Sequence, residues 1–174
     1  MSLPHLTRIA TISLLCLGLF GTAPALAENA RDLEILGWVE KVKLQPEGAV
    51  IRAKLDTGAD NSSLHAPDPE PFERDGDEWV RFTVEDYDGN THEFEMPIER
   101  TVRIRSASGV ERRHVVKMEV CIAGIQRNVD VNLADRSKLD SAMLIGRSYL
   151  KGHILVDSGL KYTVEPACDD SSDD

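Results

Sequence analysis

The sequence predicts an all-β domain with one short helix. Three observations carry that expectation. Apolar residues alternate with polar ones over short runs, turn residues separate the runs, and stretches of 3.6-residue periodicity are scarce. The expected strands are Glu34–Lys43, Ala49–Leu55, Trp79–Glu85, His92–Met96, Thr101–Arg105, Arg113–Ile122, Gln126–Leu133, Met143–Ile145 and Ile154–Val156. Turns fall at Asp75-Gly76, Asp88-Gly89-Asn90 and Ala123-Gly124, which join most of these strands as hairpins. The helix is Arg147–Lys151, stopped by Gly152. Pro67 to Pro71, where prolines alternate with Asp68 and Glu70, reads as an exposed loop.

The first 27 residues read as a leader outside the fold. Arg8 is the only charge in Met1–Ala27, an apolar run extends from Ile9 to Phe20, and Ala25-Leu26-Ala27 has the small residues that signal peptidase reads. The run is shorter than the roughly 20 apolar residues of a membrane helix. Leu15 precedes Cys16 where lipidation takes a small residue, so a lipid anchor is not expected. The expected product is secreted and periplasmic. One domain spans 28–165 and an acidic disordered tail spans 166–174.

The chain has 20 Lys and Arg against 30 Asp and Glu, a net charge of −10. That balance argues against nucleic acid or anionic lipid as a partner. After export only Cys121 and Cys168 remain. They form a disulfide or Cys121 is plain core, and spacing alone does not decide.

The stretch that carries chemistry is Ala53-Lys54-Leu55-Asp56-Thr57-Gly58-Ala59-Asp60-Asn61-Ser62-Ser63-Leu64. A strand delivers an acid, and the chain turns at once through Thr and Gly. A carboxylate that activates water needs a rigid support and nearby backbone N–H groups, and glycine allows that close approach. Alone, Asp-Thr-Gly marks many ordinary turns. A second element strengthens it: Leu144-Ile145-Gly146-Arg147, an apolar run, a glycine and a basic residue opening the helix.

These two elements together resemble the retropepsin family. Further matches sharpen the resemblance to a bacterial branch often labelled ATP-dependent zinc protease. They are Gly37-Trp38-Val39-Glu40, His65-Ala66, Trp79-Val80-Arg81-Phe82, Ser106 to Arg113, Leu133 to Ser137, and Val156-Asp157. The resemblance implies a retropepsin-like single-lobe acid-protease barrel that works as a homodimer on a peptide or protein substrate. It makes Asp56 the catalytic acid, Thr57 a bond across the dimer axis and Gly58 the place where substrate backbone docks. Asp60 and Arg147 would form an internal salt bridge, with Ala59, Ser62 and Ser63 packing around the loop. The flap would be Arg103–Val115, with its tip at Ser106, Ala107, Ser108 and Gly109. The segment between Asp56 and this tip is longer than in the viral pattern.

Blander readings stand beside these. Asp157-Ser158-Gly159 reads as a strand end and turn, because too little chain follows for a second lobe. His65, His92, His114 and His153 lack zinc spacing, and no phosphate-binding loop is present, so neither a metal nor ATP is expected as cofactor. Trp38 and Trp79 read as core or interface aromatics. Arg112 and Arg113 read as a solvated flap edge, with a contact to a peptide carboxylate as the sharper alternative. The competing functions are a non-catalytic peptide-binding module on the same fold, and a protease active only when an envelope partner aligns two domains.

Overall fold

The computed structural model describes residues 33–106 and 109–168. The strands are β1 (Glu34–Leu44), β2 (Ala49–Leu55), β3 (Ser62–His65), β4 (Glu70–Arg74), β5 (Asp77–Glu85), β6 (Thr91–Pro97), β7 (Arg100–Ser106), β8 (Gly109–Ile122), β9 (Ile125–Ala134), β10 (Met143–Ile145) and β11 (Ile154–Lys161). The helix α1 is Arg147–Leu150. Eight strands form one mixed sheet in the order β11-β1-β2-β10-β3-β9-β8-β7, and β1 also pairs with β8 through Lys43–Cys121 and Leu44–Val120. That extra pairing closes the sheet into a barrel, which is the expected all-β, retropepsin-like single lobe. Alternation along the strands fills it: Val42, Leu44, Ile51, Ala53, Leu55, Val116, Met118, Val120, Val131 and Leu133 are all buried.

The long segment before the flap is a sheet of its own, β4-β5-β6. Its Val80, Phe82, Val84 and Phe94 join the same core, with the Phe82 and Phe94 rings stacked at 5.4 Å.

Three local expectations are corrected. Pro67–Pro71 is not loop throughout, since Pro71 lies in β4 opposite Val80. Proline is tolerated there because β4 is an edge strand with β5 as its one neighbour. Ser62–His65, where no strand was expected, is a strand held between β10 and β9. Asp157–Gly159 lies inside β11, which continues to Lys161 beyond the expected end at Val156. The register slips between Gly37–Asp157 and Val39–Lys161, and the Gly159 N–H donates to Asp157 Oδ1 at 2.8 Å, a bulge built on a local aspartate turn.

The C-terminal segment is fastened at two points. Glu40, fully buried, accepts the N–H of Gly37 at 2.7 Å, the N–H of Thr163 at 2.9 Å and the Thr163 hydroxyl at 2.7 Å. Cys168 is disulfide-bonded to Cys121 with the Cα atoms 6.1 Å apart, so residues 166–168, assigned to the tail by sequence, are tied to the barrel.

Candidate active site

β2 runs through the middle of the sheet between β1 and β10, and Asp56 follows its last residue. The Asp56 N–H donates to Ile145 O at 2.8 Å, so the expected Leu144-Ile145 element does run beside the acid-bearing strand. The carboxylate is half-buried. Oδ1 accepts the Gly58 N–H at 2.9 Å, and Lys54 Nζ lies 3.4 Å from Oδ2. Burial alone would raise the Asp56 pKa; the Gly58 N–H and then Lys54 outweigh it and hold the carboxyl below its usual range.

The loop after Asp56 is sewn to α1. The N–H groups of Arg147 and Ser148 donate to the carbonyls of Ala59 and Asp60, each at 2.9 Å. The Gly146 N–H donates to Ser62 Oγ at 3.2 Å. The Arg147 guanidinium donates to Thr57 O at 3.2 Å, Gly58 O at 2.9 Å and Asp60 Oδ1 at 3.1 Å. The Asp60–Arg147 pair forms, but it is not internal: the side chains are 76% and 50% exposed. An exposed pair contributes about 0–1 kcal/mol, so its larger role is to strap the carbonyls of the loop. Ser63 Oγ is buried without a hydrogen-bond partner.

Gly146 is required by space. A Cβ there would lie 2.6 Å from Asn61 O. Thr57, Asp60 and Arg147 also line a groove of about 660 Å³ that runs to Leu33, Ile154 and Leu155.

The segment expected to form the flap lies in a hairpin. β7 and β8 form a long hairpin whose register ends with Ser106 opposite Gly109, while Ala107 and Ser108 lie outside the described residues. Arg112 is exposed, as a flap edge would be. Arg113 is not: it turns inward, donates to Asn132 Oδ1 at 3.2 Å and Glu111 Oε2 at 2.8 Å, and its Nε is buried without a partner.

Two charged residues near Asp56 escaped the sequence reading. Lys54 shares a strand face with Asp56, since residues two apart point the same way, and that alternation was the available signal. Arg136, buried at 9% exposure, lies between β9 and β10. Its Nε donates to Ser141 O at 3.2 Å and its backbone N–H to His65 Nδ1 at 2.8 Å. Burial, then the Arg113 charge, pushes the Arg136 pKa down, while the Asp56 charge acts the other way. Lys54 thus sits at the Asp56 carboxylate, and Arg136 is near enough for its charge and that of Asp56 to act on each other. Among the described residues, no group of three or more His, Cys, Asp or Glu side chains could hold a metal ion.

A family model described as RimB-like, retropepsin-like aspartic endopeptidase RimB, matches residues 35–167. The chain belongs to this family. Curated relatives named probable alpha-L-glutamate ligase, from Shewanella halifaxensis (strain HAW-EB4) and Parasynechococcus marenigrum (strain WH8102), are each 32% identical over 62% of this chain. The match covers 24% of each relative, so the chain spans about a quarter of their length. A crystal structure of a Legionella pneumophila protein of unknown function is 32% identical with a TM-score of 0.65, covering 75% of this chain and 98% of that one. The RimB-like match begins at Ile35, one residue into β1, and ends one residue before Cys168.

Proposed function

We propose that this RimB-like chain is an exported aspartic endopeptidase, active as a homodimer in which two Asp56 carboxylates hold one water, and that its substrates are peptides rich in acidic side chains. The observation that carries the reading is the mounting of Asp56. A carboxylate ends a central strand, takes a backbone N–H on one oxygen, and sits on a loop strapped by Arg147.

One such carboxylate does half the work. Two like charges at close range do not both ionise cheaply, so a pair shares a proton and titrates as a unit. The ionised member takes a proton from water as it attacks the carbonyl, and the protonated member gives its proton to the carbonyl oxygen or leaving nitrogen. A second copy supplies the second carboxylate. Support for such a copy comes from the groove joining Thr57 to Leu155, and from Ile35 and Leu155, register partners on β1 and edge strand β11 that are 62% and 51% exposed.

Acidic substrates fit Lys54 and Arg136. They also fit the relatives. If three quarters of each relative, the part outside the match, carries the glutamate ligation its name states, the shared quarter is suited to hydrolysing bonds of the same kind. The leader and the disulfide favour export to an oxidising compartment.

The test is to incubate residues 28–174 and Asp56→Asn with a peptide mixture that includes glutamate-rich sequences, read new termini by mass spectrometry, and measure mass by sedimentation. Cleavage by the wild-type dimer alone is expected, because asparagine keeps the shape and cannot act as the base. A dimer that binds acidic peptides and never cleaves them would make the chain a binding module instead. A monomer that cleaves only beside another envelope component would point to the partner-aligned protease.

A further inference from the structure

Resting on the dimeric protease proposed above, we infer that Lys54 is a transferable counter-ion. In the free enzyme its ammonium neutralises Asp56, and an acidic side chain of the bound peptide takes that ammonium over, so that the carboxylate pair can bind the proton it needs.

The placement supports this. Lys54 is the penultimate residue of β2 and Asp56 the first after it, and Lys54 Nζ approaches Oδ2 at 3.4 Å while Oδ1 is occupied by the Gly58 N–H at 2.9 Å. The lysine therefore covers the oxygen left for water. Its register neighbours are Val39 on β1 and Leu144 on β10, both apolar, so the flanking strands offer it no rival anion.

The other charges around the site are held. Arg147 is bonded to Thr57 O, Gly58 O and Asp60, Arg113 to Asn132 and Glu111, and Arg136 to Ser141 O. The Gly58 N–H is backbone. Lys54 alone in this set is a charge on a flexible four-carbon stem with a side chain 46% exposed. It is the group that can leave.

Leaving has a chemical consequence. With an ammonium on each Asp56, both carboxylates of the pair are held ionised, and the pair then lacks the proton that the carbonyl oxygen or leaving nitrogen must receive. A peptide carboxylate that engages Lys54 removes that bias, and the pair takes one proton from solvent. The balance closes: the peptide brings one negative charge, and the pair gains one proton. A glutamine in place of that glutamate brings no charge and triggers no uptake. Specificity for acidic peptides and readiness for chemistry become one event.

The experiment is calorimetry at about pH 6 in buffers of different ionisation enthalpy, with residues 28–174 and a glutamate hexapeptide whose central peptide bond is replaced by a hydroxyethylene isostere. Its glutamine counterpart is the control ligand. The expected result is uptake of about one proton per dimer with the glutamate ligand and none with glutamine. Asp56→Asn should show no uptake. Lys54→Met should lose the uptake and at least about tenfold of the glutamate-over-glutamine preference, and Lys54→Arg should recover that preference. Equal uptake by wild type and Lys54→Met, equal uptake with both ligands, or failure of the glutamate ligand to bind would each overturn the inference. Lys54-dependent uptake by a dimer that never cleaves a natural glutamate peptide would refute the protease reading and leave the counter-ion transfer standing. Cleavage with uptake unchanged in Lys54→Met would do the reverse.

Discussion

Alanine at Gly146 should cost more than its single methyl suggests, because the backbone there has the right angles and no room. The residue caps α1 with φ −91° and ψ 178°, a conformation open to alanine, so strain in the dihedrals contributes little. The added Cβ would lie 2.6 Å from Asn61 O and 2.8 Å from Asp60 O, where ordinary contact starts at 3.4 Å. Relief requires a withdrawal of 0.6 to 0.8 Å, from 3.4 less 2.8 and 3.4 less 2.6. That movement is opposed by the bonds Arg147 N–H to Ala59 O, Ser148 N–H to Asp60 O and Gly146 N–H to Ser62 Oγ. Overpacking costs about 1–3 kcal/mol and each weakened hydrogen bond about 0.5–1.5 kcal/mol, so the expected loss is about 2–4 kcal/mol. In a domain of this size that lowers Tm by roughly 6–12 °C. Gly152→Ala is the internal comparison. It has open space but φ +83°, and left-handed backbone should cost about 1–2 kcal/mol. Urea and thermal unfolding of both variants would measure the difference. A Gly146→Ala protein within about 0.5 kcal/mol of wild type, or more stable than Gly152→Ala, would mean that the loop and helix are not locked together as described.

Opening the Cys121–Cys168 disulfide by a double serine substitution should destabilise the fold by up to about 4 kcal/mol for a separation of 47 residues, read by unfolding with and without reductant. Thr163→Val removes the hydroxyl bonded to buried Glu40 and should cost about 1.5–3 kcal/mol in a urea titration, with the barrel otherwise intact. Asp86 is held well below the usual carboxylate range by His92, then by Asn90 and neighbouring backbone N–H groups. A depressed folded pKa gives stability that is complete above about pH 4 and lost as pH falls through the folded value, so the stability gap between wild type and Asp86→Asn should close on acidification. Arg136→Met should leave stability unchanged or raised by about 1–2 kcal/mol while acidic peptides are cleaved at least about tenfold more slowly; marked unfolding would instead make Arg136 a structural residue.

What was legible in the sequence followed from periodicity and from chemistry that is local in the chain. β2, β5 and most of β9 alternate because one face meets the core, and Asp-Thr-Gly announces Asp56 within three residues. β3 did not show itself because Ser62, Ser63 and Leu64 are all buried between two neighbouring strands, which erases the alternation and places serines where apolar residues are expected. β4 was hidden by Pro71, which only its edge position permits. The disulfide was undecided because the pairing depends on where the C-terminal segment lies, and that is set by the Glu40 contacts with Thr163. Asp60 and Arg147 were legible as a pair, yet their exposure was not, since spacing says nothing about solvent. Arg136 was invisible as a site residue because it is distant from Asp56 in sequence and only the fold brings the two charges within reach of each other.

The burial of Arg136 argues about function more than about stability. A guanidinium withdrawn from water is costly, and the bond from its Nε is to a backbone carbonyl, not a carboxylate. Arg113, the cation whose charge acts on it, has a buried Nε with no partner. Two neighbouring cations, one of them disfavoured by burial and by the charge of the other, would be poor choices for holding a barrel together, and apolar side chains of similar volume would do that better. They are good choices for meeting an anion that arrives later. Lys54 answers Asp56 and Glu111 answers Arg113, so the surplus at the site is the one positive charge of Arg136, while the chain as a whole carries −10. Under the proposed function, a surface that repels acidic peptides and a site that attracts them would give selectivity by position, favouring a chain end or extended segment that reaches the site. Raising salt should therefore weaken the cleavage of acidic peptides more than that of neutral ones, because the surplus charge at the cleft acts on the first and not on the second.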